Sequence, residues 1–438
     1  MTMKSLMTPI AGAVLALMLP ASVGAQTTGN VVFFHPDGTG VNHWTAARMH
    51  VVGPDGTLNW DRLPEIGVYK GHMSDNLTST SHGGATTHAY GVKVKADSYG
   101  KDGKETLTAA SGRQLSIAEE AMEAGKSVAL VQTGHLAEPG TGAFVASVDD
   151  RDMKFEIAQQ VIESGARVIM GGGERYLLPK GVDGRHGPGM RSDGVNLIER
   201  AKKMGYTVVY TREEMMSVDT NSVDKLLGVF AHDDTYNDQP HERNVIEGKP
   251  HYVESAPTIA EMAEVSLSIV SRDEDGFFAV VEEEATDNFP GYTNAAGHLE
   301  ALKRADKAAG VLLDFIEGNP DTLVLNTADS DASGVQVFTD EDGLTDDGYV
   351  KATTDEGGVL KGQQGALGEV FLAAPNAQGE RLPYALAFTG GSDVAGGQLV
   401  RAAGFNSELV QPLMDNSDMY SIMYQTLFGR EPSGDVRE

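Results

Sequence analysis

A chain of 438 residues with 63 acidic against 34 basic side chains carries a formal charge of −29 at pH 7. A field of that sign repels nucleic acid and anionic membrane surfaces, which argues against both as partners, but bound divalent cations can reverse it locally for a small anionic substrate. With no cysteine in the chain, neither disulfides nor thiolates contribute to stability, catalysis or metal binding.

In chain order, residues 1–25 read as a secretory signal. Lys4 is followed by an apolar run over 9–19 and by small residues ending at Ala25, which predicts cleavage after Ala25 and a periplasmic or secreted protein. That run is too short to be a stable membrane anchor. Residues 26–438 then alternate strand-length apolar runs, at 31–35, 127–132, 167–170, 207–210, 227–231, 277–281, 322–326 and 385–388, with helical patterns at 114–124, 154–164, 196–204, 258–271, 295–316 and 418–427. This rhythm predicts one α/β domain, a central mostly parallel sheet with helices on both faces. In the longest helix Leu299, Leu302, Ala305, Ala309, Leu312 and Leu313 form one apolar stripe. Segments 180–194, 233–252 and 339–382 break the rhythm with Gly, Asp, Asn and Pro, so they are expected as excursions, giving insertions near 180–252 and 339–382.

Two features carry chemistry. Residues 77–93, LTSTSHGGATTHAYGVK, run hydroxyls into two glycines and then into a helix expected from Ala85 to Tyr90, an arrangement suited to a nucleophile facing an anion at a helix start. Carboxylates recur just past strand ends: Asp37, Glu282, Asp287, Asp329 and Asp331. Ligands gather beyond the carboxyl ends of parallel strands, and carboxylates crowded there repel unless cations sit among them.

The segments VVFFHPDGTG with WTAAR, GGATTHAYGVK, GTGAFVASVDDR, RVIMGGGERYLLP, KLLGVFA, PTIAEM and GFFAVVEEEATD stand in the order found in the alkaline phosphatases, and the chain resembles that family over nearly all of residues 26–438. The resemblance implies that Asp37 bridges two metals and that Ser81, counted back from residues 91–93, is the nucleophile of a phosphoserine mechanism. It further implies that Arg151 clamps phosphate, that Thr141 and Glu282 hold magnesium, and that Asp287 and Asp329 are metal ligands. Ser79 and Thr80 adjoin Ser81, so a one-residue gap would move the nucleophile. His82 and His88 flank the motif, His88 as helix packing or a phosphate neighbour and His82 as a supporting group.

The family's three zinc-binding histidines are not matched. Ser330 follows Asp329, Asp393 and Val394 fall where the last histidine belongs, and no histidine follows His298. His298, read either as a solvent-facing helix residue or as a substitute ligand, and Asp331 and Asp393 are the replacements available. Thr80 stands where the family has an aspartate, and Glu138 lies in the magnesium region. Oxygen ligands in place of imidazole favour hard ions. The expectation is therefore a phosphomonoesterase using Mg²⁺ and/or Ca²⁺, with Zn²⁺, Mn²⁺ or iron as alternatives. Its substrates would be small phosphate esters, and the family's habit suggests a homodimer. A phosphodiesterase, or a weakly catalytic protein that binds phosphate or metal, are the competing readings.

Overall fold

The computed structural model describes residues 28–339, 343–354 and 357–434; the expected signal segment at 1–25 lies outside them. A ten-stranded sheet organises the chain, in the order Leu413–Asp415, Glu65–Lys70, Gln398–Gly404, Thr322–Asn326, Asn30–Pro36, Phe277–Glu283, Ser127–His135, Val168–Gly172, Lys225–Val229, Tyr206–Val209. Only Gln398–Gly404 runs against its neighbours; every other pairing in the sheet is parallel.

Strand Asn30–Pro36 is buried along its whole length because helices cover both faces. Val31 and Phe33 enter the core shared with the helices Ser81–Tyr90, Lys154–Glu163 and Asp418–Phe428, while Val32 and Phe34 enter the core shared with Ile259–Val270 and Ala295–Gly318. A strand buried on both faces reads as a continuous apolar run, which is why the central strands are plain in the sequence. The stripe predicted on the longest helix is buried as expected.

Three strands of the sheet are absent from the sequence reading: Glu65–Lys70, Gln398–Gly404 and Leu413–Asp415. They lie on the side where one face is wet, and Glu65–Lys70 alternates buried with exposed residues, leaving no apolar run to find. The segment predicted at 385–388 is a strand, but as Pro383–Phe388 it pairs with Gln336–Phe338, Val359–Lys361 and Phe371–Leu372 in a separate small sheet. Two strands of that sheet, Val359–Lys361 and Phe371–Leu372, fall in the excursion at 339–382, and the excursion at 233–252 carries the helix His241–Glu247. Among the described residues no helix is long and apolar enough to cross a membrane.

Candidate active site

Parallel register brings the acidic strand ends together. His35 pairs with Glu282 and Phe34 with Asn326, so Asp37, Glu282 and Asp329 leave the sheet at one edge. All three are fully buried. Ligand atoms of His35, Asp37 and Asp329 lie within 4.8 Å of one another, as do those of Asp37, Glu282 and Glu284. Glu284 stands just past the strand Phe277–Glu283, at the start of the helix Ala285–Gly291, and turns to the same cluster as Glu282. Glu283 points the other way and accepts from Thr133 Oγ1 at 2.8 Å and Tyr252 OH at 3.2 Å.

This cluster is short of donors. His35 Nδ1 meets Glu282 Oε1 at 3.2 Å and Gly38 N donates to Asp37 Oδ1. Asp37 Oδ2, Glu282 Oε2, Glu284 Oε2 and both oxygens of Asp329 are buried without a partner among the described residues, as is His35 Nε2. Burial, and next the charge of Asp329, push the Asp37 carboxyl well above the ordinary carboxylate range. Burial and then Glu282 do the same to Glu284. Buried anions left this way are costly, and cations or shared protons must reconcile them. Oxygen-rich donors with one imidazole suit a hard divalent ion.

A second group adjoins it. Asp287, on the helix Ala285–Gly291, shares a hydrogen bond with Asp393 and is raised well above the carboxylate range by burial and by the Asp393 charge. Ser330 Oγ donates to Asp393 Oδ1 at 2.9 Å, and burial, then Asp329, lift that carboxyl to about 6. Both line a small cavity of about 110 Å³ with Gly291, Ala332, Ser333 and Ser392. Of the two aspartates offered as replacements for histidine, Asp393 is therefore beside Asp287, whereas Asp331 turns to His43 Nε2 at 3.0 Å. His298 is not solvent-facing. It is fully buried with its ring 4.8 Å from that of His43.

The hydroxyl stretch forms a helix earlier than predicted, Ser81–Tyr90, with Gly83 and Gly84 inside it. Thr80 is the N-cap: its hydroxyl accepts from Gly83 N at 3.1 Å and donates to the Ala96 carbonyl at 2.5 Å. Ser79 Oγ is buried toward Met73 Sδ at 3.4 Å. Ser81, the first helical residue, makes no side-chain hydrogen bond with any described residue. The glycines serve packing, since a Cβ on Gly84 would lie 2.5 Å from Cβ of Asp329. Positions three and four apart share a helix face, so Ser81, Gly84 and His88 form the stripe turned to the carboxylates. His88 completes it with Tyr69 OH at 2.8 Å and its ring 5.8 Å from that of His35; burial, then His35, lower its pKa to about 3.

Arg151 donates from Nη2 to Glu138 Oε2 at 3.0 Å, and its Nη1 lies 3.4 Å from His82 Nδ1. Glu138 also faces His135 Nε2 at 2.8 Å. Burial alone would raise its carboxyl, but His135 and Arg151 outweigh that and hold it below the ordinary range. Thr141 Oγ1 accepts from Gln132 Nε2 at 2.5 Å. The Cβ direction of Gly140 runs onto Glu282 Oε1, so bare backbone faces Glu282, while the Thr141 hydroxyl keeps its proton and a second lone pair beyond its bond to Gln132.

A family model described as alkaline phosphatase matches residues 28–349. The chain belongs to the alkaline phosphatase family. It is 30% identical over 347 residues to the membrane-bound alkaline phosphatase of Bombyx mori, covering 70% of this chain and 61% of that protein. It is likewise 30% identical over 339 residues to the alkaline phosphatase of Gadus morhua, covering 68% of each. The chain thus spans less than two thirds of the Bombyx mori relative. Its fold is that of the Thermus thermophilus alkaline phosphatase, with a TM-score of 0.72 at 21% identity over 93% of this chain and 92% of that one. The alkaline phosphatase of the Antarctic bacterium TAB5 superposes with a TM-score of 0.69 at 19% identity, over 92% and 100%; a mutant of that protein has Mg bound in its M3 site.

Within this site, the sequence does not point to His35 or Glu284. His35 sits inside a core strand, where nothing in a single sequence separates a ligand from packing. Glu284 follows the strand end in the run Glu282 to Glu284 and is the N-cap of the next helix in αR conformation, so the period of the strand does not select it.

Proposed function

We propose that this chain is an exported, divalent-cation-dependent phosphomonoesterase that forms a phosphoserine on Ser81. The observation that carries the reading is the meeting, at one sheet edge, of an uncommitted serine hydroxyl, a guanidinium and buried carboxylates lacking donors. Family membership supports the reaction class, and the signal-like order of residues 1–25 supports export.

The orphaned oxygens fit cations. Asp37, Asp329 and Glu282 with Glu284 would hold them on one side, and Asp287 with Asp393 on the other. Bound there, divalent ions would acidify the serine hydroxyl and neutralise charge on the departing oxygen. Ser81 Oγ then forms its bond to phosphorus as the ester P–O bond breaks, and water later releases inorganic phosphate. The N-terminus of helix Ser81–Tyr90 presents its amide dipoles to the phosphate. Arg151 can take two non-bridging oxygens in its planar fork, while Glu138 fixes the other side of the guanidinium. The shortage of imidazole among the oxygen donors favours Mg²⁺ and/or Ca²⁺ over a pair of zincs.

Acid trapping of a phosphoenzyme tests the nucleophile: Ser81→Ala is expected to abolish it and Ser79→Ala to keep it, and a phosphoenzyme persisting in Ser81→Ala refutes the assignment. p-Nitrophenyl phosphate assayed beside its bis-ester should show preference for the monoester. Metal-free protein should regain activity with magnesium, calcium or manganese. Full recovery with zinc alone would overturn the metal assignment.

A further inference from the structure

Away from the carboxylate centre, two imidazoles face each other in the excursion at 233–252. His241 opens the helix His241–Glu247, and His251 returns at the end of the same loop. His241 Nδ1 and His251 Nε2 share a hydrogen bond at 3.1 Å, with ring centroids 5.2 Å apart and planes at 47°. The loop between them is closed by the Tyr236 and Tyr252 bridge, and Asn237 N donates to the His251 carbonyl at 2.7 Å. Two nitrogens bound to one Zn²⁺ at about 2.0–2.1 Å each stand roughly 2.9–3.4 Å apart for angles between octahedral and tetrahedral. The pair is already at that spacing.

We propose that His241 and His251 bind one borderline transition-metal ion of the Zn²⁺, Ni²⁺ or Cu²⁺ class, at a site separate from the hard-ion carboxylate centre. Imidazole nitrogen selects this class over Mg²⁺ and Ca²⁺. Both rings are neutral near pH 7. Burial and the neighbouring His241 lower His251 to about 4, and burial lowers His241. Binding replaces the hydrogen bond between the rings: the ring that donates in it moves its N–H to the nitrogen turned away from the metal, with no net proton release. The Glu242 and Glu300 carboxylates supply a favourable field, and Lys361, which opposes it at His241, is held by Glu242 at 3.2 Å. His251 also lines an open groove of about 610 Å³ with His50, Glu300 and Arg304, leaving water free to complete the coordination shell. With two protein ligands the site is weaker than a closed four-ligand one.

The consequence is mechanical. The His251 ring packs edge-on against Phe289 at 5.5 Å, and Phe289 lies on the helix that carries Asp287. An ion here would tie helix His241–Glu247 to the loop return that walls that helix.

The test counts zinc. Protein saturated with Mg²⁺ is titrated with Zn²⁺ against a chromophoric chelator, comparing wild type with His241→Gln, His251→Gln and the double variant. One fewer zinc equivalent in all three variants than in wild type is expected, with the apparent affinity of that equivalent falling at least tenfold. In addition, Cu²⁺-loaded wild type should show two-nitrogen hyperfine structure in electron paramagnetic resonance that each single variant loses. Zinc taken up by the carboxylate centre is common to all four proteins and cancels, so the result stands whatever the fate of the proposed activity. Equal stoichiometry in wild type and in His241→Gln, whose half-exposed position at a helix start leaves folding intact, overturns the proposal.

Discussion

Glu174 and Asp37 are both completely buried, yet their surroundings are opposite. Glu174 sits where an excursion folds back, and its two oxygens accept the backbone N–H groups of Arg185 at 2.9 Å and His186 at 2.6 Å. Asp37 receives one backbone N–H, from Gly38, while its other oxygen meets only the Asp329 carboxyl, with which it can share a proton but which as a carboxylate offers no donor. The first arrangement is complete in itself, because charge-assisted hydrogen bonds repay desolvation. The second is incomplete, since two buried anions cannot coexist without a cation or a shared proton. Burial of a carboxylate is thus no pointer to function until its donors are counted.

The largest effects should fall on the incomplete side. Ser81→Ala is expected to lower kcat for a phosphate monoester by about a thousandfold or more, as loss of a nucleophile does. Arg151→Ala removes a preorganised charge and should cost on the order of 10²–10³ in kcat/KM. Initial-rate kinetics on purified variants measure both. A Ser81→Ala enzyme with near wild-type turnover would detach the carboxylate centre from the chemistry and leave it a mere ion store.

The comparison is broken or upheld most directly by removing charge on each side in chelator. Glu174→Gln keeps one acceptor and turns an amide toward a backbone N–H, so urea unfolding should show a loss of about 1–3 kcal/mol. Asp37→Asn places a donor opposite Asp329 and should leave the metal-free protein as stable or more stable. Adding Mg²⁺ should then stabilise wild type and not Asp37→Asn, since binding to the native state alone raises stability. Equal destabilisation by both substitutions would show that the donor count distinguishes nothing.

Titration gives a smaller signal with a definite sign. Asp37, Glu284 and Asp287 are raised well above the ordinary range and Asp393 lies at about 6. The metal-free native state therefore holds protons that the unfolded chain has released above its ordinary carboxyl pKa of about 4. These four groups contribute stability that is lost as pH rises from about 4 through 6 and beyond. His88 and His251, lowered to about 3 and about 4, act with the opposite sign up to about pH 6.5. Saturating Mg²⁺ or Ca²⁺ replaces the carboxyl protons, so the readout is the melting-temperature difference between Mg²⁺-saturated and chelated protein, which should widen as pH rises. A difference between the metal-bound and metal-free melting temperatures that stays constant over this interval would contradict the crowding of these groups.

How far the sequence revealed this centre follows from what each element buries. Strands 31–35, 277–281 and 322–326 could be read because they are apolar on both faces, and the acidic residues that follow them stood out against those runs. Glu65–Lys70 and Gln398–Gly404 could not, being half-wet and alternating. Spacing along a helix could not say that His298 lies against His43. Nor could it say that the Thr141 hydroxyl accepts from Gln132 while Gly140 faces Glu282. Such facts belong to tertiary contacts between segments far apart in the chain. The pairing of Asp287 with Asp393, 106 positions apart, is of the same kind, though both residues had been singled out individually.

The smallest expected effect separates scaffolding from chemistry among three adjacent hydroxyls. Thr80 spends its lone pair on Gly83 N and its proton on the Ala96 carbonyl, so it caps the helix that presents Ser81 and has no proton left for a substrate. Thr80→Ala should cost about 1 kcal/mol, the usual value of an N-cap, read by urea unfolding. Thr80→Ser should recover most of it, because the hydroxyl rather than the methyl does the capping. Both variants should still trap a phosphoenzyme, with turnover within a few-fold of wild type. If Thr80→Ala abolished the phosphoenzyme while unfolding at the same urea concentration as wild type, the hydroxyl would be reacting rather than capping, and the nucleophile would shift one residue toward the N-terminus.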